Sequence, residues 1–201
     1  MATEDRRLIN RIRSGDKGAF EELVKRHYED IFSYCYRRTG NREDAEDLTQ
    51  EVFLKLVKAI YKYRHTGKFR NFIFTVAVNC CNDFIRRQKT RPEKEPDDTY
   101  LDSAVSGEMS PSEHMINREN RFILYERLSG LKEEQKEALV LHYFHGFKAR
   151  EIAEITGVPL ATAKSRIRQG REHLKKEYEK DKDKDRHIER KGEVRNERKE
   201  K

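Results

Sequence analysis

The chain has 201 residues, of which 35% are hydrophobic and 40% are charged, so it can hold one domain or two small ones with part of the chain unpacked. Its net charge of +7 favours a polyanionic partner, but its 37 acidic residues mean that positive charge must be locally concentrated to bind one. The charged start of the chain does not resemble a signal peptide, and no stretch approaches the ~20 apolar residues of a membrane span, which predicts a cytoplasmic protein.

Apolar residues recur at helical spacing from Arg6 to about Lys89, and no alternation typical of strands competes with this pattern. One helix begins at Asn41, where a capping residue and several acids stand at the positive end of the helix. A further helix covers about Phe69 to Gln88. The sequence therefore predicts a first, helical domain over residues 1–89.

The character of the chain changes over residues 90–111. Proline, glycine, serine and acidic residues replace the periodic apolar residues there. Such a segment has too little apolar material to pack, so the sequence predicts a flexible acidic linker.

Helical spacing resumes over residues 112–176 and includes two short helices around a glycine turn, within Lys148–Arg171. Gly157 supplies the permissive backbone of a tight turn, and Pro159 suits the first turn of the next helix. The small side chain of Ala153 permits a close helix crossing. This order of features is typical of a DNA-binding helix-turn-helix, and the fold expected for the whole chain is all-α.

The second helix of the hairpin has an inward and an outward side. The residues expected to pack inward recur at spacings of four, three and four: Ala163, Ile167, Gly170 and Leu174. The candidate DNA-binding residues lie on its other sides: Thr162, Lys164, Ser165, Arg166, Arg168, Gln169 and Arg171. Those on the exposed face are aimed at base edges in a major groove, and the flanking ones at phosphates. The alternative is an αα-hairpin whose basic helix is only a solvated surface.

Residues 177–201 alternate lysine with aspartate and then mix arginine, glutamate and lysine, with almost no apolar side chains. This stretch cannot bury an apolar stripe of its own. The sequence predicts a charged, disordered tail that is at most transiently helical.

Two helical domains joined by an acidic linker resemble bacterial sigma factors of the extracytoplasmic-function (ECF) group. The resemblance spans about residues 5–176 and rests on Asp44–Phe53 in the first domain and on the helix-turn-helix in the second. It implies a transcription initiation factor whose first domain docks on the clamp helices of core RNA polymerase and opens the -10 promoter element. The second domain would read the -35 element, and an anti-sigma factor is a further expected partner. No cofactor, small-molecule substrate or membrane insertion is implied.

The stretch Asp44–Phe53 is similar to the polymerase-binding helix of that family. The resemblance implies that hydrogen-bond acceptors of this helix face the clamp helices and that an aromatic residue packs nearby. These residues are Asp44, Asp47, Gln50, Glu51 and Phe53. Such side chains suit a basic, polar partner surface. The alternative is an ordinary amphipathic helix with a well-capped acidic start.

Gly67–Arg87 is similar to the strand-opening segment of the family, which captures an unpaired base of the non-template strand. The resemblance implies that Phe69 stacks on the flipped base and that Asn79 and Asn82 read its edge. The phosphates would be held by Lys68, Arg86 and Arg87. The later aromatic residues of this helix are expected in the core.

Two other classes of function stay open at the level of sequence. A conventional helix-turn-helix regulator would explain the second domain equally well, and it would bind duplex DNA without polymerase. A nuclease would need paired carboxylates and a metal, but Asp44, Glu46 and Asp47 lie at an exposed helix start and the histidines have no ligand spacing. No catalytic residue or metal ligand is therefore assigned. Buried free thiols are expected at Cys35, Cys80 and Cys81.

Overall fold

The computed structural model of the chain describes residues 2–64, 68–89, 128 and 130–197. These residues form helices and turns, with no strand among them, which confirms the predicted all-α class. Within the same ranges, no helix is long and apolar enough to cross a membrane. The predicted linker, 90–111, and the first part of the predicted second domain lie outside the described residues.

The first domain contains the helices α1 (Ala2–Arg13), α2 (Lys17–Thr39), α3 (Arg42–Ile60) and α4 (Phe69–Gln88). The boundaries of α2 follow from local chemistry, because the Asp16 carboxylate accepts from two free N–H groups at its start and Gly40 ends it in the left-handed conformation, with φ 75°. Helix α3 begins at the predicted cap, where Asn41 Oδ1 accepts from the N–H of Asp44 at 3.0 Å.

Side chains of α2, α3 and α4 meet in the core of the first domain, in which Ile31, Leu56 and Phe74 are fully buried. Each such side chain stabilises the fold by about 1.5–3 kcal/mol relative to exposure. This packing brings one side of α3 and one side of α4 inward.

The three cysteines are buried and free, as predicted. Cys35 Sγ and Cys81 Sγ lie 3.8 Å apart between α2 and α4. The hydrogen bond to Cys35, together with burial, holds the pKa of the Cys81 thiol well above its usual value, so this thiol is unreactive. No group of three or more His, Cys, Asp or Glu side chains in the described part of the chain is arranged to hold a metal ion.

The second domain consists of α5 (Glu133–Leu139), which continues as a π-helical segment (Val140–Phe144), and then α6 (Ala149–Thr156) and α7 (Leu160–Glu197). Gly157 ends α6 with φ 68°, and its N–H donates to the carbonyl of Ala153. The carbonyl of Pro159 accepts the first bond of α7, from Ala163 N at 3.1 Å. These features confirm the predicted helix-turn-helix.

The inward side of α7 is the predicted one. Ala163 is fully buried, Gly170 is buried, and Ile167 and Leu174 pack against the core. A Cβ atom at Gly170 would lie 2.8 Å from Leu139 Cδ1 on α5, a separation shorter than real carbon contacts. A larger residue at this position would displace the Leu139 side chain, because α5 and α7 approach closely here.

Helix α7 does not end at residue 176 but continues to Glu197, so the expected disordered tail is helical over most of its length. Lysine, arginine and glutamate have high helix propensity. Ion pairs at helical spacing also support this segment at its start, with Lys175 Nζ 3.7 Å from Glu179 Oε1 and Lys180 Nζ 2.7 Å from Glu177 Oε1. Helix propensity and local ion pairs can therefore support a helix here without an apolar stripe.

The two domains pack against one another, with α4 beside α6 and the π-helical segment beside α2. The rings of Phe74 and Phe147 have their centroids 4.8 Å apart. Arg70 lies 4.4 Å above the ring of Phe147 and donates to the carbonyl of His145 at 2.8 Å. One continuous apolar core therefore extends from the first domain into the second.

Lys136 on α5 is a destabilising residue at neutral pH. Its side chain is buried, with Nζ 3.4 Å from the carbonyl oxygen of Arg38, and burial lowers its pKa to about 8. The unfolded chain holds this proton up to a pKa of about 10.4, so the contribution of Lys136 to stability rises with pH between those two values. We expect Lys136→Met to raise the free energy of unfolding by about 2 kcal/mol at pH 7. Thermal unfolding at pH 7 and pH 9.5 tests this, because the advantage of the variant should shrink at the higher pH.

Candidate nucleic-acid interface

The outer side of α7 carries the side chains expected to read duplex DNA. Lys164, Arg168, Gln169 and Arg171 are exposed, whereas three further candidates are half-buried: Thr162, Ser165 and Arg166. The side chain of Arg168 is 60% exposed, and its Nη1 lies 3.2 Å from Glu172 Oε1. An exposed ion pair of this kind contributes little net stability, so the guanidinium can exchange its partner for DNA at small cost.

Two of these candidates contact α5. Gln169 Oε1 accepts from Gln135 Nε2 at 3.2 Å, and Arg166 Nη1 lies 4.0 Å from Glu137 Oε1. Lys164, Arg168 and Arg171 thus face solvent, whereas Arg166 and Gln169 also contact α5.

The predicted polymerase-binding residues of α3 do not all face the same way. Asp47 and Gln50 are exposed, and Asp44 and Glu51 are half-buried. Phe53, in contrast, is buried, with its ring stacked on that of Tyr28 at 6.3 Å. The assignment of Phe53 to a partner surface is therefore corrected, since this residue continues the inward stripe of α3.

Sequence reasoning missed an exposed apolar stripe on α3 and its C-cap, which comprises Leu54, Val57 and Tyr61. Leu54 is 67% exposed, although leucine is among the residues most often buried. The spacing of three and four places this stripe beside Asp47 and Gln50, and we call these five residues the outer α3 face. The signal was present in the sequence as apolar residues on the otherwise polar side of an amphipathic helix. Exposed apolar patches rimmed by polar groups are typical of protein interfaces.

Four of the candidate single-strand residues lie in the C-terminal half of α4. All four are exposed: Asn79, Asn82, Arg86 and Arg87. Arg86 Nη2 is 3.0 Å from Asp83 Oδ1, and Arg87 Nη2 is 3.9 Å from Glu51 Oε2. Asn79, Asn82 and Arg86 stand three and four positions apart, so one side of α4 presents two amides and a guanidinium together.

Phe69 does not belong to this exposed set, which corrects the predicted stacking role. It is 4% exposed, and its ring lies 5.4 Å from that of His27 and 5.6 Å from that of Tyr63. As the first residue of α4, it begins the same inward stripe as Ile73, four positions later. The ring is therefore closed off from any base by the packing of the first domain.

Two of the predicted single-strand residues contact acids of the second domain. Lys68 Nζ lies 2.8 Å from Glu151 Oε1 on α6. Asn82 Nδ2 donates to Glu137 Oε2 on α5 at 2.8 Å. In this arrangement the second domain supplies acceptors to groups that sequence reasoning assigned to nucleic acid.

Two family models match the chain. Residues 23–91 match Sigma-70 region 2, a stretch that contains all of α3 and α4. Residues 121–174 match Sigma-70 region 4, a stretch that contains the helix-turn-helix. Both candidate DNA-reading surfaces and the outer α3 face thus lie within these matched regions.

The similar proteins belong to the family that both family models indicate. The ECF RNA polymerase sigma factor SigW of Bacillus subtilis is 29% identical over 185 residues, which cover 86% of this chain and 95% of the relative. The ECF RNA polymerase sigma-E factor of Haemophilus influenzae is 30% identical over 178 residues, which cover 85% of this chain and 93% of the relative.

Solved structures share the fold. CnrH in complex with the cytosolic domain of CnrY has a TM-score of 0.66 at 22% identity, over 89% of this chain and 99% of that one. The sigma factor RpoE in complex with the anti-sigma factor NepR from Bartonella quintana has a TM-score of 0.60 at 18% identity, over 78% of this chain and 94% of that one. On these grounds together, the chain belongs to the ECF group of RNA polymerase sigma factors.

Proposed function

We propose that this chain binds core RNA polymerase and directs it to specific promoters. The observation that carries the proposal is the presence of sigma regions 2 and 4 on one chain, with each region exposing the polar side chains that its task requires. The chain acts by binding, and polymerase performs the chemistry of initiation.

The -35 element is read as duplex by α7. The exposed start of this helix fits a major groove, which is wide enough to admit a helix. Arg168 is placed to donate to a guanine edge, a contact that discriminates bases by about 1–3 kcal/mol. Lys164 and Arg171 flank it and bind phosphates, which fixes register without reading sequence.

The -10 element is read as a melted strand by α4. Extruding bases from the duplex costs on the order of a few kcal/mol per step. Binding of the exposed strand by the amides of Asn79 and Asn82 and by the cations of Arg86 and Arg87 offsets that cost. Because Phe69 is buried, it does not stack on an extruded base. Helix α4 contributes base-edge hydrogen bonds and charge instead.

The outer α3 face binds the clamp helices of core polymerase. Asp47 and Gln50 supply acceptors, and Leu54 with its neighbouring apolar side chains supplies area to bury. Polymerase then holds both DNA-reading domains at once, which makes the second DNA contact effectively intramolecular. The free chain should therefore bind promoters poorly.

An anti-sigma factor is the second protein partner that we infer. The similar chain RpoE was solved with the anti-sigma factor NepR, and CnrH was solved with the cytosolic domain of CnrY. A partner that covers the outer α3 face or the α4 surface would compete with polymerase or DNA for the same residues, which suits regulation by sequestration.

The test is run-off transcription from a promoter library, with core RNA polymerase in the presence and absence of this protein. Initiation that requires both components supports the proposal and yields both promoter elements. A gel-shift assay of the protein alone on the same duplexes provides the comparison. Tight duplex binding without any initiation would replace the proposal with a conventional helix-turn-helix regulator.

Arg168→Ala should reduce initiation at matched promoters by about 10–100-fold, because one bidentate base contact is lost. The preference at a single -35 position should relax at the same time. The matched control is Arg171→Ala, which removes an exposed cation three residues away and should weaken all promoters equally. Both are measured as run-off product from the library. Uniform loss for Arg168→Ala would instead assign Arg168 to a phosphate.

A further inference from the structure

An amide on the outer side of α7 is hydrogen-bonded to an amide of another helix. Gln169 is exposed, directly after Arg168 and about one helical turn after Ser165. Its Oε1 accepts from Gln135 Nε2 on α5 at 3.2 Å. Both helices belong to the second domain, so this bond does not depend on how the two domains are arranged. A candidate base-reading group is therefore connected to a residue outside the helix that carries it.

The backbones of α5 and α7 hold the two glutamines within reach of each other. A Cβ atom at Gly170 would lie 3.5 Å from Gln135 Cβ and 2.8 Å from Leu139 Cδ1. Leu139 is buried, and Ile167 of α7 packs against the small core that contains it. The close contact of α5 and α7 therefore fixes the position of Gln135 beside Gln169.

A primary amide presents different groups at its two ends. Its oxygen accepts hydrogen bonds, and its nitrogen donates two. With Gln169 Oε1 turned toward α5, Nε2 points away from α5, because the two atoms stand on opposite sides of the amide carbon. Among the described residues, no acceptor is bonded to Gln169 Nε2. The bond to Gln135 thus selects one of two amide orientations and leaves the donors for the groove.

The orientation of this amide decides which base edge it can bind. Guanine presents two acceptors in the major groove, N7 and O6, whereas cytosine presents a donor, its N4 amino group. Donors at Gln169 therefore suit guanine and are mismatched with cytosine. A glutamine that is free to turn bonds adenine through both ends of its amide. Since Gln135 engages Gln169 Oε1, that two-ended contact is weakened in this chain.

We propose that Gln135 is a positioning residue for recognition of the -35 element. It holds the Gln169 amide with its donors toward the groove, so that Gln169 selects guanine at one position of the element. The inference deepens the proposed function and rests on it for the reading of duplex DNA by α7. It places one determinant of promoter specificity on α5, outside the helix that enters the groove.

Exchanging the donor of this pair for an acceptor tests the proposal. Gln135→Glu presents only acceptors, so it should bond Gln169 Nε2 and turn Oε1 toward the groove. The preferred base should then change from guanine to cytosine, with a shift in their ratio of about 10-fold or more. The substitution suits the fold, because an acid in the first turn of α5 interacts favourably with the helix dipole.

Two further variants separate the bond from side effects of the substitution. Gln135→Leu removes the bond at a similar side-chain size, and the freed amide should lose its bias between guanine and cytosine and accept adenine. Lys132→Gln is the matched control for charge, since it also lowers the charge by one unit, at an exposed position three residues before Gln135. It should leave every base preference as in the parent chain.

The preferences are read from run-off transcription by the full chain with core RNA polymerase, on a library randomised over the -35 element. Gln169→Ala identifies the position that Gln169 reads, as the one at which the preference disappears. Gln135→Glu should switch that position and no other. The double variant Gln135→Glu with Gln169→Ala should show no preference there. Circular dichroism establishes that each variant retains its helices.

Parent-like preferences in both Gln135 variants, or a uniform loss at all positions, overturn the proposal. So does a switch at a position that Gln169→Ala leaves unchanged. Failure of the proposed function gives a different result, because the parent chain would then produce no initiation with core polymerase. In that case the same variants are compared on library duplexes retained by the chain alone, where the switch from guanine to cytosine decides. A parent chain that retains no duplex overturns both proposals.

Discussion

Phe69→Ala is expected to lower the free energy of unfolding by about 3–5 kcal/mol, the usual cost of removing a buried phenylalanine ring. The ring of Phe69 lies among those of His27, Tyr63 and Phe72, at centroid distances of 5.4, 5.6 and 6.1 Å. Removing it leaves a cavity where α4 meets α2 and the end of α3. Urea unfolding followed by circular dichroism measures the change.

Tyr61→Ala is the matched control, because Tyr61 is an exposed aromatic residue only a few positions away in sequence. Its loss should alter the free energy of unfolding by less than about 0.5 kcal/mol. A Phe69→Ala variant with normal stability but a specific defect in promoter melting would contradict the structure and restore the base-stacking role that the sequence suggests.

The helix-turn-helix was predictable because its determinants are local. Gly157 allows a left-handed turn that other residues rarely adopt, and the inward side of α7 follows from helical spacing. Even the close approach at Gly170 had a local signal, a glycine at the inward position of a basic helix. The polar outward residues then follow from the same periodicity.

The burial of Phe69 and Phe53 could not be predicted from local sequence in the same way. Phe69 stands at the junction of a loop and a helix, where periodicity extends in one direction only. Its environment is set by His27 and Tyr63, which come from elsewhere in the chain. Phe53 follows Val52, and two adjacent helical residues can both be buried when α2 and α4 flank α3.

The contact between the domains had no signal in the sequence. Asn82 and Glu137 are 55 positions apart, and Arg38 and Glu133 are 95 apart. In the sequence, each of these residues has the features of an ordinary polar residue on a helix. Only the three-dimensional arrangement reveals that the acids of α5 and α6 face the polar side chains of α4.

Asp47→Lys should weaken binding to core RNA polymerase by about 100-fold or more, because like charges placed against each other at an interface cost several kcal/mol. Asp47 is exposed in the polar half of the outer α3 face, so the change should leave folding intact. The affinity is measured by fluorescence anisotropy of the labelled chain titrated with core enzyme at two salt concentrations. The loss should be smaller at high salt, since exposed charges are screened.

Glu29→Lys is the matched control for this prediction, with the same change of two charge units at an exposed position on α2. It should bind core polymerase as the parent chain does, because α2 does not carry the outer α3 face. Leu54→Ala removes apolar area from that face without changing its charge, and it should weaken binding equally at both salt concentrations. Parent-like affinity for Asp47→Lys together with weak binding by Leu54→Ala would assign the face to an apolar contact alone. If both variants bind normally, the outer α3 face is not the polymerase-binding surface.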